Sequence, residues 1–250
     1  MCFLILTVFW VSHPKLRVGI VGVDNLSKDY LDISKAGFDA HYDDYFDAVI
    51  VDEDFGSHNI RVNDTFYLNS DFFSEAQRNN IHEEYGLDYL LIITDHPIKD
   101  WDEQGFGLWG QADTKTNSAL ITLAYFKNSN STIVNHGNHE VLHLLGYMHN
   151  IMDKSGIMQY TNNDRNNLCA YYNFQMPLRT TFAYLFKGQG FMFTVYGMNF
   201  IFSLIMFLGF LGANELLYYY DEKKMKNHKR SIKIDVLSYA LFFVFAIFYN

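Results

Sequence analysis

The run from residue 16 to 23 is almost uniformly apolar and ends at Asp24-Asn25, the pattern of a buried strand. Its two glycines lack the rest of a G-x-G-x-x-G turn, so a dinucleotide site is rejected. Residues 27–46 are polar and aromatic with several acids, and predict a short helix or irregular surface. Short strands are expected at 48–51 and 65–68. A helix over 72–85 would be capped by Asp71 or Ser70 and closed by Gly86. Residues 87–94 give the clearest strand, which the turn chemistry of Thr94-Asp95-His96-Pro97 terminates. Two further strands, 106–111 and 119–124, flank a polar turn at 114–117. A helix then begins at Asn135 or Asn138, with Thr132 as the alternative cap. Strands and helices alternate, so an α/β (α+β) architecture is expected, a mixed sheet with helices packed on it.

The two ends read differently. Residues 1–11 are apolar and uncharged but too short to span a bilayer as a helix. A signal or anchor and a buried leading strand both fit them. Residues 190–214 run twenty-five positions without a charge, long enough to cross a hydrocarbon core. Tyr218, Tyr219 and Tyr220 suit an interface, and Lys223, Lys224, Lys226, Lys229 and Arg230 precede a second apolar run over 232–249. This pattern predicts a C-terminal transmembrane hairpin with spans at about 190–214 and 232–249, an interfacial helix being the alternative for the second. The expected organisation is a domain over 1–180 and an anchoring hairpin over 181–250. The lipid bilayer would then be a partner, the protein multi-pass, and the first domain on the non-cytoplasmic side.

Composition narrows the function. At 250 residues the chain holds one good core plus an appendage, and its net charge of -9 argues against a nucleic-acid surface. The acids between Asp39 and Asp54 lack the spacing of a calcium loop and read as a solvated face. Only Cys2 and Cys169 are present, so neither a cysteine scaffold nor a thiolate zinc site is available.

The concentrated chemistry lies in His139-Glu140-Val141-Leu142-His143-Leu144-Leu145-Gly146-Tyr147-Met148-His149. His139 and His143, four apart, share a helix face and point at one ion, while Glu140 is placed beside the first as a base. A continuous helix would put His149 about 15 Å from His139 along the axis. The chain must therefore turn at Gly146, where glycine enters the left-handed region cheaply. His149 then closes a three-histidine site with one position open for water.

This extended motif resembles the signature of the metzincin zinc metallopeptidases. The resemblance implies a mixed twisted sheet carrying the zinc helix, and one catalytic Zn2+ on His139, His143 and His149. It also implies a methionine turn beneath the histidines, which Met158 matches, and a tyrosine two residues later, Tyr160, able to reach the metal or the oxyanion. Residues 88–96 and then 106–112 are similar in layout to the archaemetzincins. Those proteins carry a cysteine cluster after the third histidine for a second zinc. Here Asn150 follows His149, and Cys169 is the only downstream cysteine. By the same resemblance Phe106, Gly107, Leu108, Trp109 and Gly110 belong to an edge strand that would pair with an extended substrate.

The expected function is a membrane-anchored zinc metalloendopeptidase acting on peptide or protein substrates. Zinc activates water, Glu140 moves the proton, and Tyr160 assists zinc at the oxyanion. A membrane-held zinc-binding or receptor module and a zinc hydrolase of non-peptide amides are the alternatives.

Overall fold

The structure, a computed structural model, describes residues 13–53, 55–100, 107–125, 129–149, 157–158 and 170–185, together with 204, 208, 211 and 212. Its frame is a five-stranded sheet of β1 (Leu16–Gly22), β2 (Phe46–Ile50), β5 (Tyr89–Thr94), β7 (Gly110–Asp113) and β8 (Ser118–Thr122). The order is β2-β1-β5-β8-β7. The first four strands in that order run parallel, and β7 lies antiparallel along β8 at the outer edge. A smaller sheet joins β3 (Val62–Asn63), β4 (Phe66–Leu68) and β6 (Ile98–Lys99).

Every residue of β5 and β8 is buried, as central strands covered on both faces must be. Alternate side chains therefore serve two cores. Leu91, Ile93, Ala119 and Ile121 point into one, which helices α1 (Lys28–His41) and α4 (Asn130–Leu144) close. Leu90, Ile92 and Leu120 point into the other, under α2 (Asn69–Arg78) and the single turn α3 (Ile81–Glu84). A last described helix, α5 (Ala170–Leu185), adds Tyr172, Met176 and Ala183 to the first core.

Several elements depart from the sequence reading. Residues 27–46 hold a regular 14-residue helix rather than a short or irregular one. Its buried stripe is Leu31, Ser34, Gly37 and Phe38, in which two of four members are not hydrophobic, so the periodicity is muted. The space goes to close packing: a Cβ at Gly37 would lie 2.5 Å from Val134 Cγ1 of α4. The expected helix over 72–85 begins earlier, at Asn69, and is broken in two by Asn80 with φ +54°. Gly86, with φ +62°, ends it as expected.

The expected C-terminal transmembrane hairpin is corrected, and with it membrane anchorage, the bilayer as partner and the multi-pass, non-cytoplasmic placement. Among the described residues no helix is long and apolar enough to cross a membrane. The longest, α5, has 16 residues and carries Gln175 and Arg179 inside a protein core. That is shorter than the roughly 20 apolar residues a span requires. An uncharged run of sufficient length is a necessary condition for a span and does not by itself make one. Residues 1–11, 232–249 and all of 190–214 except Leu204, Leu208, Leu211 and Gly212 lie outside the described residues. By contact the chain divides into two units, 1–195 and 196–250, and all the elements above belong to the first.

Candidate metal centre

Helix α4 is built to hold chemistry at one end. Ser129 caps it, its hydroxyl accepting from the Thr132 N–H at 3.4 Å, where the sequence had offered Thr132, Asn135 or Asn138. Those three residues are buried inside the helix instead. Its far end closes on Gly146, φ +78°. The Gly146 N–H donates to His143 O at 2.9 Å and the Tyr147 N–H to Leu142 O at 3.3 Å, the paired bonds of a Schellman turn. The predicted turn at Gly146 is therefore present, and it brings His149 back beside the helix.

The three histidines converge. Nε2 of His139 lies 3.0 Å from Nε2 of His143 and 3.1 Å from Nε2 of His149, and the third side of the triangle is 3.3 Å. Tetrahedral zinc with ligands at about 2.0–2.1 Å requires nitrogens roughly 3.3 Å apart, so the residues fit the ion. Tautomers strengthen the fit. His139 Nδ1 donates to Ile157 O at 2.8 Å and His143 Nδ1 to Tyr147 O at 2.7 Å. A carbonyl only accepts, so Nδ1 carries the proton and both Nε2 atoms present lone pairs. Their contact sets lone pair against lone pair, an arrangement that a cation resolves. Burial, with a smaller like-charge contribution from neighbouring histidines, lowers His139 to about 3 and His143 to about 4. Both rings are neutral at physiological pH, the state a metal needs.

Glu140 is 7% exposed on the same helix, and burial raises its carboxyl to about 8. The edge strand leaves room for it: a Cβ at Gly110 would lie 2.7 Å from Glu140 Oε1. With any larger residue here, the carboxyl or the strand would have to shift. The sequence placed Gly110 on the edge strand but carried no sign of that approach, since it depends on how two distant elements pack. His136, one helical turn before Glu140, was also missed; its ring meets Trp109 edge-on at 5.1 Å, and burial lowers it to about 4. Met158 is fully buried beside Ile157, whose carbonyl holds His139.

The other expected site residues are placed less completely. Leu108 bridges Ile98, Trp109 is 42% exposed, and the regular edge strand starts at Gly110 rather than at 106. Gly107 packs where a side chain would collide with the Tyr125 hydroxyl and the Phe66 ring. Phe106 and Tyr160 lie outside the described residues. His96 takes no part, its Nε2 pairing with Asp24 Oδ2 at 2.8 Å.

No family model matches the chain, and no curated protein matches it. Among solved structures, the chain is similar to the archaemetzincin of Methanopyrus kandleri. The identity is 15% and the TM-score 0.52, over 66% of this chain and 95% of that one. It is also similar to the archaemetzincin of Archaeoglobus fulgidus, solved in complex with malonate. That match has 12% identity and a TM-score of 0.50, over 64% of this chain and 99% of that one. At such identities the likeness is one of fold. The chain has a metzincin-like mixed sheet with packed helices, and His139, His143 and His149 are clustered in it as a group able to coordinate a metal ion.

Proposed function

We propose that this chain is a zinc-dependent metallopeptidase with one catalytic ion on His139, His143 and His149. The observation that carries the reading is the triangle of Nε2 atoms, 3.0–3.3 Å on a side, next to the buried carboxyl of Glu140. When bound, zinc supplies Lewis-acid chemistry, lowering the pKa of a coordinated water and polarising a carbonyl. Glu140 takes a proton from the attacking water and passes it to the leaving amine. Burial raises this carboxyl in the metal-free protein, and a cation bound beside it would favour the charged form that accepts the proton. Tyr160 is assigned as a hydrogen-bond donor to the developing oxyanion, and Met158 as the floor of the histidine cluster.

An extended peptide is held alongside β7. This strand ends the sheet, and the Thr122 N–H donates to Trp109 O at 3.0 Å. In an antiparallel pair that leaves the amide and carbonyl of Gly110 pointing away from β8 and able to pair with a substrate strand. The catalytic domain is assigned to residues 1–180.

Replacing Glu140 with Gln should abolish peptide hydrolysis while zinc stays bound. Cleavage by E140Q at the wild-type rate would remove Glu140 as the base. Zinc binding by the wild type without turnover on a peptide library would leave a binding module, and turnover confined to non-peptide amides would reassign the substrate.

A further inference from the structure

The exposed ligand, His149, has no helix of its own; its position depends on the four residues that lead to it. Three of those four are held by α5. Arg179 is 1% exposed, and its Nη1 donates to Leu145 O at 2.9 Å. Gln175 Oε1 pins the guanidinium with bonds of 3.0 and 2.8 Å, and the cation lies 4.3 Å from the centre of the Tyr147 ring. The Tyr147 hydroxyl donates to Tyr172 O at 2.9 Å, while the Tyr147 carbonyl accepts from His143 Nδ1. The Tyr172 hydroxyl donates to Met148 O at 3.1 Å.

We infer that Arg179, with Tyr172, positions the metal centre by fixing the turn over residues 145–148 between the second and third ligands. This rests on the metal-centre reading above. The Schellman bonds engage the carbonyls of Leu142 and His143 and leave that of Leu145 over. Arg179 meets it with a charged donor at a helix C-terminus, where a cation complements the dipole. Burying an arginine is costly against an apolar residue of similar volume, so packing alone does not account for it. Through Tyr147, the same clamp sets the tautomer and tilt of His143. Helix α5 thus belongs to the metal centre, although none of its described side chains is among the clustered ligands.

The test uses the full chain with cobalt in place of zinc, reading metal affinity and the visible d–d band. Tyr172→Phe removes one hydroxyl bond at Met148, and Arg179→Met removes the charge with its volume largely kept. Both should weaken metal binding by about 10- to 100-fold, the cost of losing an outer-shell partner, and shift the band. Arg179→Lys should restore part of the affinity. Phe72→Ala, in the opposite core, controls for destabilisation and should leave affinity and band unchanged. Wild-type affinity and band in both clamp variants would overturn the inference, as would an equal loss in Phe72→Ala. If Arg179→Met does not fold, Tyr172→Phe decides on the same criteria. A wild-type chain that takes up neither cobalt nor zinc removes the metal-centre reading itself, and this inference falls with it.

Discussion

Helices α4 and α5 share one core and have nearly the same length, 15 and 16 residues, yet their sequences declare themselves very differently. Helix α4 carries its chemistry as a spacing, since His139, Glu140 and His143 sit on one face by the helical period alone. Helix α5 has no such pattern. Arg179 and Tyr172 acquire meaning from the carbonyls they reach, 34 and 24 positions away, and Gln175 from the guanidinium it holds. Ligands are legible when the element that spaces them is local, and their supports are not.

Variants on the two helices should separate chemistry from support. The largest effect is expected from Glu140→Gln, a loss of about 10²–10⁴-fold in turnover with zinc content unchanged, checked by peptide kinetics and metal analysis. His143→Ala should remove zinc along with activity, because it deletes both a ligand and the contact to Tyr147 O. Gly110→Ala follows. Its methyl group would displace the Glu140 carboxyl, and misplacement on that scale costs up to about 100-fold in kcat with little change in zinc affinity. Wild-type kcat in Gly110→Ala would show that the strand yields instead.

The same residues predict a pH profile for the chelated protein. His139 and His143 are lowered to about 3 and about 4 from 6.5, so the unfolded chain takes up their protons first. The stability they contribute is complete above 6.5 and is lost as pH falls through about 4 and then 3. Glu140 has the opposite sign: raised to about 8 from 4.5, it contributes fully below 4.5 and loses that contribution as pH rises through about 8. The melting temperature of the chelated protein should therefore be highest between these limits. Glu140→Gln should flatten the alkaline side alone.

Variants that touch neither a ligand nor the carboxyl should act mainly on stability. Leu142→Ala empties part of the core beneath α4 and should cost about 2–5 kcal/mol in denaturant unfolding. Ser129→Ala removes the α4 cap and should cost about 1 kcal/mol, leaving zinc affinity unchanged.

The elements around the site were legible to the degree that their signals were local. The strands over 16–23 and 87–94 and the Gly146 turn were recovered because buried parallel strands and left-handed glycines mark the sequence directly. Helix α1 was read as short or irregular because Ser34 and Gly37 interrupt its apolar stripe to admit α4. Gly110 was on the expected strand, but its role depends on passing Glu140, thirty residues later. The transmembrane reading failed for a related reason: the length of an apolar run does not say whether one long helix forms over it.

The central claim is that three histidines hold one zinc ion for Glu140 to work beside. Zinc content of the purified full chain after dialysis, measured together for wild type, Glu140→Gln and His143→Ala, tests it most directly. The prediction is one zinc per chain in the first two, none in the third, and peptide hydrolysis in the wild type alone. Equal zinc in wild type and His143→Ala, or none in the wild type, would contradict it.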